Sequence, residues 1–442
     1  MSPTSGDRFP SLQRRLGHVP ALDGVRGIAI LMVLTYHLVG GGAETNRVIR
    51  FLSQLIHGFC WAGVDLFFVL SGFLITGILL DTLEDPHYFR NFYVRRTLRI
   101  FPLYYGVLGV CFGVLPLLLS MDGPNLRWMR RHQLWLWLYG SSLFDGWTRN
   151  MSFARDWLWL SHFWSLSVEE HFYLIWPAVV LFCARRKVLG RVCVMIAAVV
   201  LVVRLFALYG GVSPITLYVF SPLRLDSLVI GGMVAVLARR PGGIRALVAS
   251  AWRVLAASVA VIVAMTVFGG FAYDQVGTAR YFTPLALFFG SCLVLLIDAD
   301  PQAGGAQGVA GRTIVHPALR FFGRYSYGLY VFETLMQPLW DRVFRTDELV
   351  VWVHSYLIAG VVHLFLCFGC TLALAMLSFH LYEKPFLQLK RYFQAPAGAP
   401  DLVGAAEDSA LPGRAWSSGA SSETAGSALD SNHDEELSIA AD

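Results

Sequence analysis

Mostly apolar stretches recur along the chain near residues 25–41, 58–80, 101–120, 166–183, 191–210, 223–238, 252–270, 282–298, 323–340 and 353–381, separated by polar connections. A helix needs about 20 such residues to cross the roughly 30 Å hydrocarbon core of a bilayer. Alternation with period two is absent from them, and backbone groups in lipid must be satisfied within the protein. The pattern therefore predicts an all-α fold, a polytopic membrane helical bundle of about ten transmembrane helices. Before the bundle, residues 1–20 form a polar cytoplasmic segment; the bundle domain occupies 21–392. Residues 393–442, rich in Ala, Gly, Ser and acidic side chains, read as a disordered cytoplasmic tail. Residues 1–20 are polar and hold no apolar core followed by a small-residue cleavage site, so the first apolar stretch reads as an anchor rather than a removed signal peptide.

Composition sharpens this picture. Of 442 residues 56% are hydrophobic and 15% charged, with mean hydropathy +0.55, whereas soluble domains carry about 25% charged residues. Lys and Arg then orient the bundle. With the N-terminus in the cytoplasm, inner connections hold Arg95, Arg96 and Arg99, Arg185 to Lys187, Arg239 and Arg240, Arg320 and Arg324, and Lys390 and Arg391. The exception is 121–165, a Trp-rich outer loop with Arg127, Arg130, Arg131, Arg149 and Arg155. Both termini are thus expected in the cytoplasm, at the plasma membrane. The net charge of +5 reports topology, and no basic stripe for nucleic acid is present. Seven cysteines are scattered through apolar stretches; Cys367 and Cys370 lack a second ligand pair, so packing rather than a metal site is expected.

Ionisable residues within lipid are costly, which makes each a functional candidate. Arg26 and His37 are eleven residues apart, close to three helical turns, so they share a face roughly 16 Å apart along the axis. Asp65 enters the second stretch at a depth that matches His37; a carboxylate beside an imidazole fixes its tautomer and raises its basicity. An interhelical contact to an arginine is the equal alternative. Arg96 and Arg99, one turn apart, suit a phosphate clamp. In Ser167-Val168-Glu169-Glu170 the spacing of Ser167 and Glu170 reads as a capping box, leaving Glu169 as the functional acid. Arg224 and Asp226 point to different helix faces and so to different partners. Glu333 is a further buried acid. Gly72 after Ser71 permits close helix packing.

These pieces, Leu22 to Gly27 with His37, Gly63 to Gly72, Arg96 to Arg99, Trp164 to Pro177, Arg224 to Asp226, Gly323 to Tyr327 and Tyr382 to Phe386, stand in the order of a known family. The sequence resembles the acyltransferase family 3 membrane proteins, which acylate sugars of surface polysaccharides, nodulation factors, peptidoglycan or macrolides. The resemblance implies a cytoplasmic acyl-CoA donor, acetyl-CoA foremost, and a sugar-containing acceptor toward the outer face. It also implies essential roles for Arg26, His37, Arg96 and Arg99. One position departs: family members commonly carry a histidine where this chain has Glu333. No hydrolase-like domain is expected after the bundle, unlike in longer relatives.

The expected mechanism has His37 as general base, oriented by Asp65 or Glu169, with the CoA phosphates on Arg26, Arg96 and Arg99. Arg224, Asp226 and Glu333 are the candidate substrate contacts. An acyl-enzyme on Ser71 or His37 is the alternative route. No metal or further cofactor is expected. The competing class is a proton-coupled transporter of a small polar solute, against which stands the lack of an inverted repeat.

Overall fold

The computed structural model describes residues 19–38, 58–118, 123–155, 158–269, 279–300 and 308–393. The expected cytoplasmic tail and nearly all of the N-terminal segment lie outside these residues. Every predicted apolar stretch is helical: α1 (Pro20–Leu38), α2 (Gly63–Asp81) and α3 (Tyr88–Gly109) come first. Two short helices, α4 (Pro124–His132) and α5 (Ser141–Thr148), lead to α6 (Phe163–Arg185) and α7 (Leu189–Tyr209). Then follow α8 (Leu225–Leu237), α9 (Val248–Gly269), α10 (Phe282–Asp298), α11 (Pro317–Val343) and α12 (Tyr356–Ser378). Among the described residues the β structure is one antiparallel pair, Ala154–Arg155 with Leu158–Trp159.

Among the described residues seven helices are long and apolar enough to cross a membrane: α1, α2, α3, α6, α7, α9 and α12. The other three expected stretches fall short of that standard for different reasons. α8 and α10 are apolar but have 13 and 17 residues, and α11, with 27, carries Arg320, Arg324, Glu333, Asp341 and Arg342. On the outward faces of α7, α9 and α12, Phe206, Phe268 and Phe365 stand exposed. Such a surface is stable only against hydrocarbon, and the chain is a multi-pass membrane protein. Helix α3 starts well before its apolar stretch, so Arg95, Arg96 and Arg99 lie inside a helix.

Two parallel helix pairs organise the interior, and in each glycine allows backbones to touch. Between α2 and α8, a methyl on Gly72 would meet the Leu228 carbonyl oxygen at 1.8 Å, and one on Gly231 the Val69 oxygen at 1.9 Å. Between α1 and α11, a methyl on Gly27 would meet the Leu319 oxygen at 2.0 Å and one on Gly323 the Asp23 oxygen at 2.0 Å. Lipid tails are as apolar as leucine, so close packing of small residues replaces the hydrophobic drive between such helices. Any side chain at these glycines forces the pairs apart.

Tyrosines stitch the rest, each with an apolar ring and a polar tip that reaches a carbonyl. Tyr88 and Tyr93 of α3 donate to the Pro177 and Leu174 carbonyls of α6 at 3.0 and 2.8 Å. Tyr104 and Tyr105 donate to the Leu136 and Trp137 carbonyls at 2.7 and 3.0 Å. Those bonds draw the segment between α4 and α5 back along α3, so this part of the Trp-rich 121–165 region folds against the bundle. The expected capping box does not form. Because α6 begins at Phe163, Ser167 lies inside the helix, where its hydroxyl donates to the Phe163 carbonyl and meets Ser141 Oγ at 2.7 Å. All seven cysteines are free, and Cys367 is buried.

Candidate active site

Where α1, α3, α11 and the end of α12 converge, the sequence concentrates guanidinium groups. Arg26, Arg99, Arg320 and Arg324 line a chamber of about 270 Å³ together with Asp23 and Glu383. Each helix delivers its arginine by periodicity: Arg320 and Arg324 are one turn apart, as are Asp23 and Arg26, which pair at 3.0 Å. Glu383 arrives on a π-helical stretch, Phe379–Glu383, that follows α12, and it accepts from Ser378 Oγ at 3.0 Å. A chamber so rich in guanidinium suits a phosphate-bearing ligand.

Arg26, Arg99 and Tyr327 also line a second, narrower cavity of about 120 Å³ deeper in the bundle. Ser71, Arg96, Glu169 and Tyr173 form its polar side. Arg96 joins Arg99 in this second cavity, as the one-turn spacing suggested, and not in the chamber. Its guanidinium turns inward over the Tyr173 ring, 5.2 Å from the centroid. The Tyr173 hydroxyl meets Ser71 Oγ at 2.5 Å, and Glu169 hydrogen-bonds to both hydroxyls with Arg96 close by. Glu169 and Arg96 thus belong to one polar cluster.

His37 stands further along α1, and its partner is on α11. Its Nδ1 lies 2.8 Å from Glu333 Oε1, an oxygen that also accepts from Thr334 Oγ1 at 2.6 Å. The His37 side chain is 27% exposed while that of Glu333 is 1% exposed, and Nδ1 itself is buried. The open edge of the imidazole is the one away from Nδ1. This arrangement corrects two expectations. The carboxylate beside His37 is neither Asp65 nor Glu169, and Glu333 is turned to the histidine rather than presented as a separate substrate contact. The parallel register of α1 and α11, set by the glycines below, decides it: Gln337, one turn past Glu333, reaches the His37 carbonyl at 3.5 Å.

Asp65 is engaged elsewhere. Its Oδ1 accepts from Arg224 Nη2 at 2.9 Å and from Ser227 Oγ at 3.0 Å, and both members of the ion pair are sealed, at 1% and 0% side-chain exposure. The Arg224 guanidinium also lies over the Phe282 ring, 3.6 Å from its centroid. Asp226 has the different partner that its spacing implied. Its Oδ2 accepts from Arg204 at 2.7 Å and from Thr283 at 2.6 Å. At the other end of the same helix pair Arg239 binds Asp81 at 2.6 Å. Three charged contacts thus clamp α8 in place.

Sequence reading missed several participants. Arg204 looked like part of an apolar run, and its burial depends on a partner distant in sequence. His162 and Tyr330 went unweighed; Tyr330 donates to the His162 carbonyl at 2.9 Å and also meets the Ser165 hydroxyl. Tyr330 lines the narrow cavity, and the Ser326-Tyr327 turn of α11 was the available signal. His171, next to Glu170 in the chain, bonds Ser221 Oγ at 2.8 Å.

An arginine chamber, a second cavity that shares Arg26 and Arg99 with it, and a carboxylate-backed histidine thus stand within one membrane bundle. The chain matches the acyltransferase domain family over residues 19–380 and belongs to it. It is similar to a Bacillus subtilis (strain 168) protein named "Putative peptidoglycan O-acetyltransferase YrhL", 28% identical over 385 residues, covering 83% of this chain and 55% of the relative. It is also similar to peptidoglycan O-acetyltransferase OatA of Listeria monocytogenes, 25% identical over 393 residues, covering 83% of this chain and 56% of that one. The matches cover between 55% and 61% of the length of such relatives. No solved structure matches the chain.

Proposed function

We propose that the chain is a membrane O-acyltransferase that moves an acetyl or other short acyl group from acyl-CoA to a hydroxyl of a sugar or sugar polymer. One observation carries the reading: an imidazole whose Nδ1 lies 2.8 Å from a buried carboxylate, on the same helix as Arg26 of a chamber lined by four arginines. CoA phosphates bind Arg26, Arg99, Arg320 and Arg324, because planar guanidinium forks match phosphate oxygens. The thin pantetheine arm enters the narrow cavity past Arg96 and Glu169. Its thioester then comes close to His37, roughly 16 Å along α1 from Arg26.

There His37 takes the proton of the acceptor hydroxyl while that oxygen attacks the thioester carbonyl carbon. The C–S bond breaks, and the proton passes from the imidazolium to the departing thiolate, so CoA leaves as the thiol. Glu333 fixes the imidazole with its free nitrogen toward the acceptor and stabilises the imidazolium that forms. The sealed pairs of Asp65 with Arg224 and of Asp226 with Arg204 anchor α8 instead of touching substrate. The names of the relatives favour peptidoglycan as the acceptor polymer. In this reading α8, α10 and α11 also cross the plasma membrane, giving ten crossings with both termini and the arginine chamber on the cytoplasmic side.

The test is purified protein in lipid nanodiscs given acetyl-CoA with and without peptidoglycan fragments. Acceptor-stimulated release of free thiol, with acetyl ester on the glycan, is the expected result. Silence across a panel of acyl-CoA donors and sugars contradicts it and favours transport.

A further inference from the structure

We propose that α4 and the turn after it lie on the bilayer surface and bind the anionic headgroups of lipids there. Helix α4 sorts its residues by face. Leu126 and Met129 are buried, while Arg127, Arg130 and Arg131, spaced by three and four residues, are exposed together on another face. Directly after them come Leu134, Trp135 and Leu138, at 66%, 42% and 75% exposure. Arginines followed at once by exposed apolar side chains suit neither water nor hydrocarbon alone. They suit the boundary between the two, where guanidinium groups meet lipid phosphates and leucines enter the acyl region.

The depth of the segment agrees. Tyr104 donates to the Leu136 carbonyl at 2.7 Å, and its ring centroid lies 4.8 Å from that of Phe163, the first residue of α6. Helix α6 is long and apolar enough to cross a membrane, so the Leu134–Leu138 stretch is level with one end of a span. Trp135 then stands where tryptophans gather at membrane interfaces. The surface also has a firm base. Trp128 stacks on His132 with centroids 4.1 Å apart, and Phe144 of α5 lies within 5.9 Å of Trp128, His132 and Trp135. Ser141 at the start of α5 meets Ser167 of α6 at 2.7 Å. With the arginines mounted on packed helices, little ordering opposes binding. Residues 124–138 include these three arginines and no acid, which favours an anionic headgroup over a zwitterionic one.

Hydrogen exchange on the full chain in lipid nanodiscs tests this, with the lipid itself as the probe. In phosphatidylcholine containing about one-third phosphatidylglycerol, amides of residues 124–138 are expected to exchange at least about fivefold more slowly than in phosphatidylcholine alone. Salt at about 0.5 M removes the difference. Arg130→Gln with Arg131→Gln also removes it, whereas Arg130→Lys with Arg131→Lys keeps it; exchange in the rest of the chain reports that each variant is folded. Leu134→Ser with Leu138→Ser speeds exchange of the segment in both lipids. Equal exchange of the wild type in the two lipids overturns the proposal, as does slowing that survives the two glutamines. Slowing by soluble peptidoglycan fragments in phosphatidylcholine discs, with none from phosphatidylglycerol, assigns the surface to a glycan and equally overturns it.

Discussion

Two parallel helix pairs of this bundle each set an acid against a basic side chain, and they differ in what they leave open. In α2 and α8 the Arg224–Asp65 pair is 2.9 Å long with both side chains at 1% exposure or less. In α1 and α11 the His37–Glu333 pair is 2.8 Å long, the carboxylate equally buried, but the imidazole is 27% exposed. Glycines bring both pairs of backbones into contact, so close packing does not distinguish them. A sealed ion pair can only hold helices in register. A carboxylate hidden behind a partly open imidazole leaves a side chain that an acceptor can still approach, which is what proton transfer requires.

Breaking the sealed pair has the largest expected effect. Arg224→Met leaves the Asp65 charge buried without its counterion, and destabilisation by about 3–5 kcal/mol is expected, read as loss of folded protein in detergent melts. Replacing both partners, Asp65→Leu with Arg224→Met, recovers most of that loss. On the open pair the expected effect falls on rate. Glu333→Gln lowers acyl transfer by about 10²-fold with acyl-CoA affinity retained, and Glu333→His, the residue that the family resemblance leads one to expect at this position, restores part of the rate.

The chamber sharpens the contrast, because its arginines act on binding alone. Arg320→Ala with Arg324→Ala is expected to raise KM for acetyl-CoA by about tenfold with kcat little changed, since each charge-assisted contact to phosphate contributes about 1.5–3 kcal/mol before solvent screening.

The smallest effect concerns a buried acid outside the spanning helices. Asp145 accepts from the Ser152 backbone N–H at 3.0 Å, yet burial pushes its carboxyl from 3.8 up to about 7. The folded state holds this proton more tightly than the unfolded one, so ionisation costs stability progressively as pH rises from about 4 to 7. Asp145→Asn is expected to flatten the fall of melting temperature over that window; an unchanged slope contradicts the assignment.

Much of this was legible in the chain. Apolar stretches of membrane length located each spanning helix, and Arg26 and His37 declared themselves as charges that lipid does not tolerate without reason. The pairing of those charges was not legible. Asp65 and Glu333 are both single acids in apolar runs, and only the parallel register of α1 with α11, set by Gly27 and Gly323 against backbone oxygens, determines which one meets His37. Ser167 and Glu170 misled for a related reason. Their spacing fits a helix start, but the aromatic residues before them, Phe163 and Trp164, are buried in the core and carry the helix back another turn. Local spacing sets which residues share a face; the partner of that face is decided by close approach between helices far apart in sequence.

The most direct test sets the two pairs side by side as purified, folded variants assayed for acetyl transfer from acetyl-CoA to peptidoglycan fragments. The open-pair variant His37→Ala is predicted to lose at least about 10²-fold in rate while the double replacement Asp65→Leu with Arg224→Met stays within about threefold of wild type. Full transfer by His37→Ala, or its loss in the double replacement at equal folded content, contradicts the assignment of chemistry to the open pair.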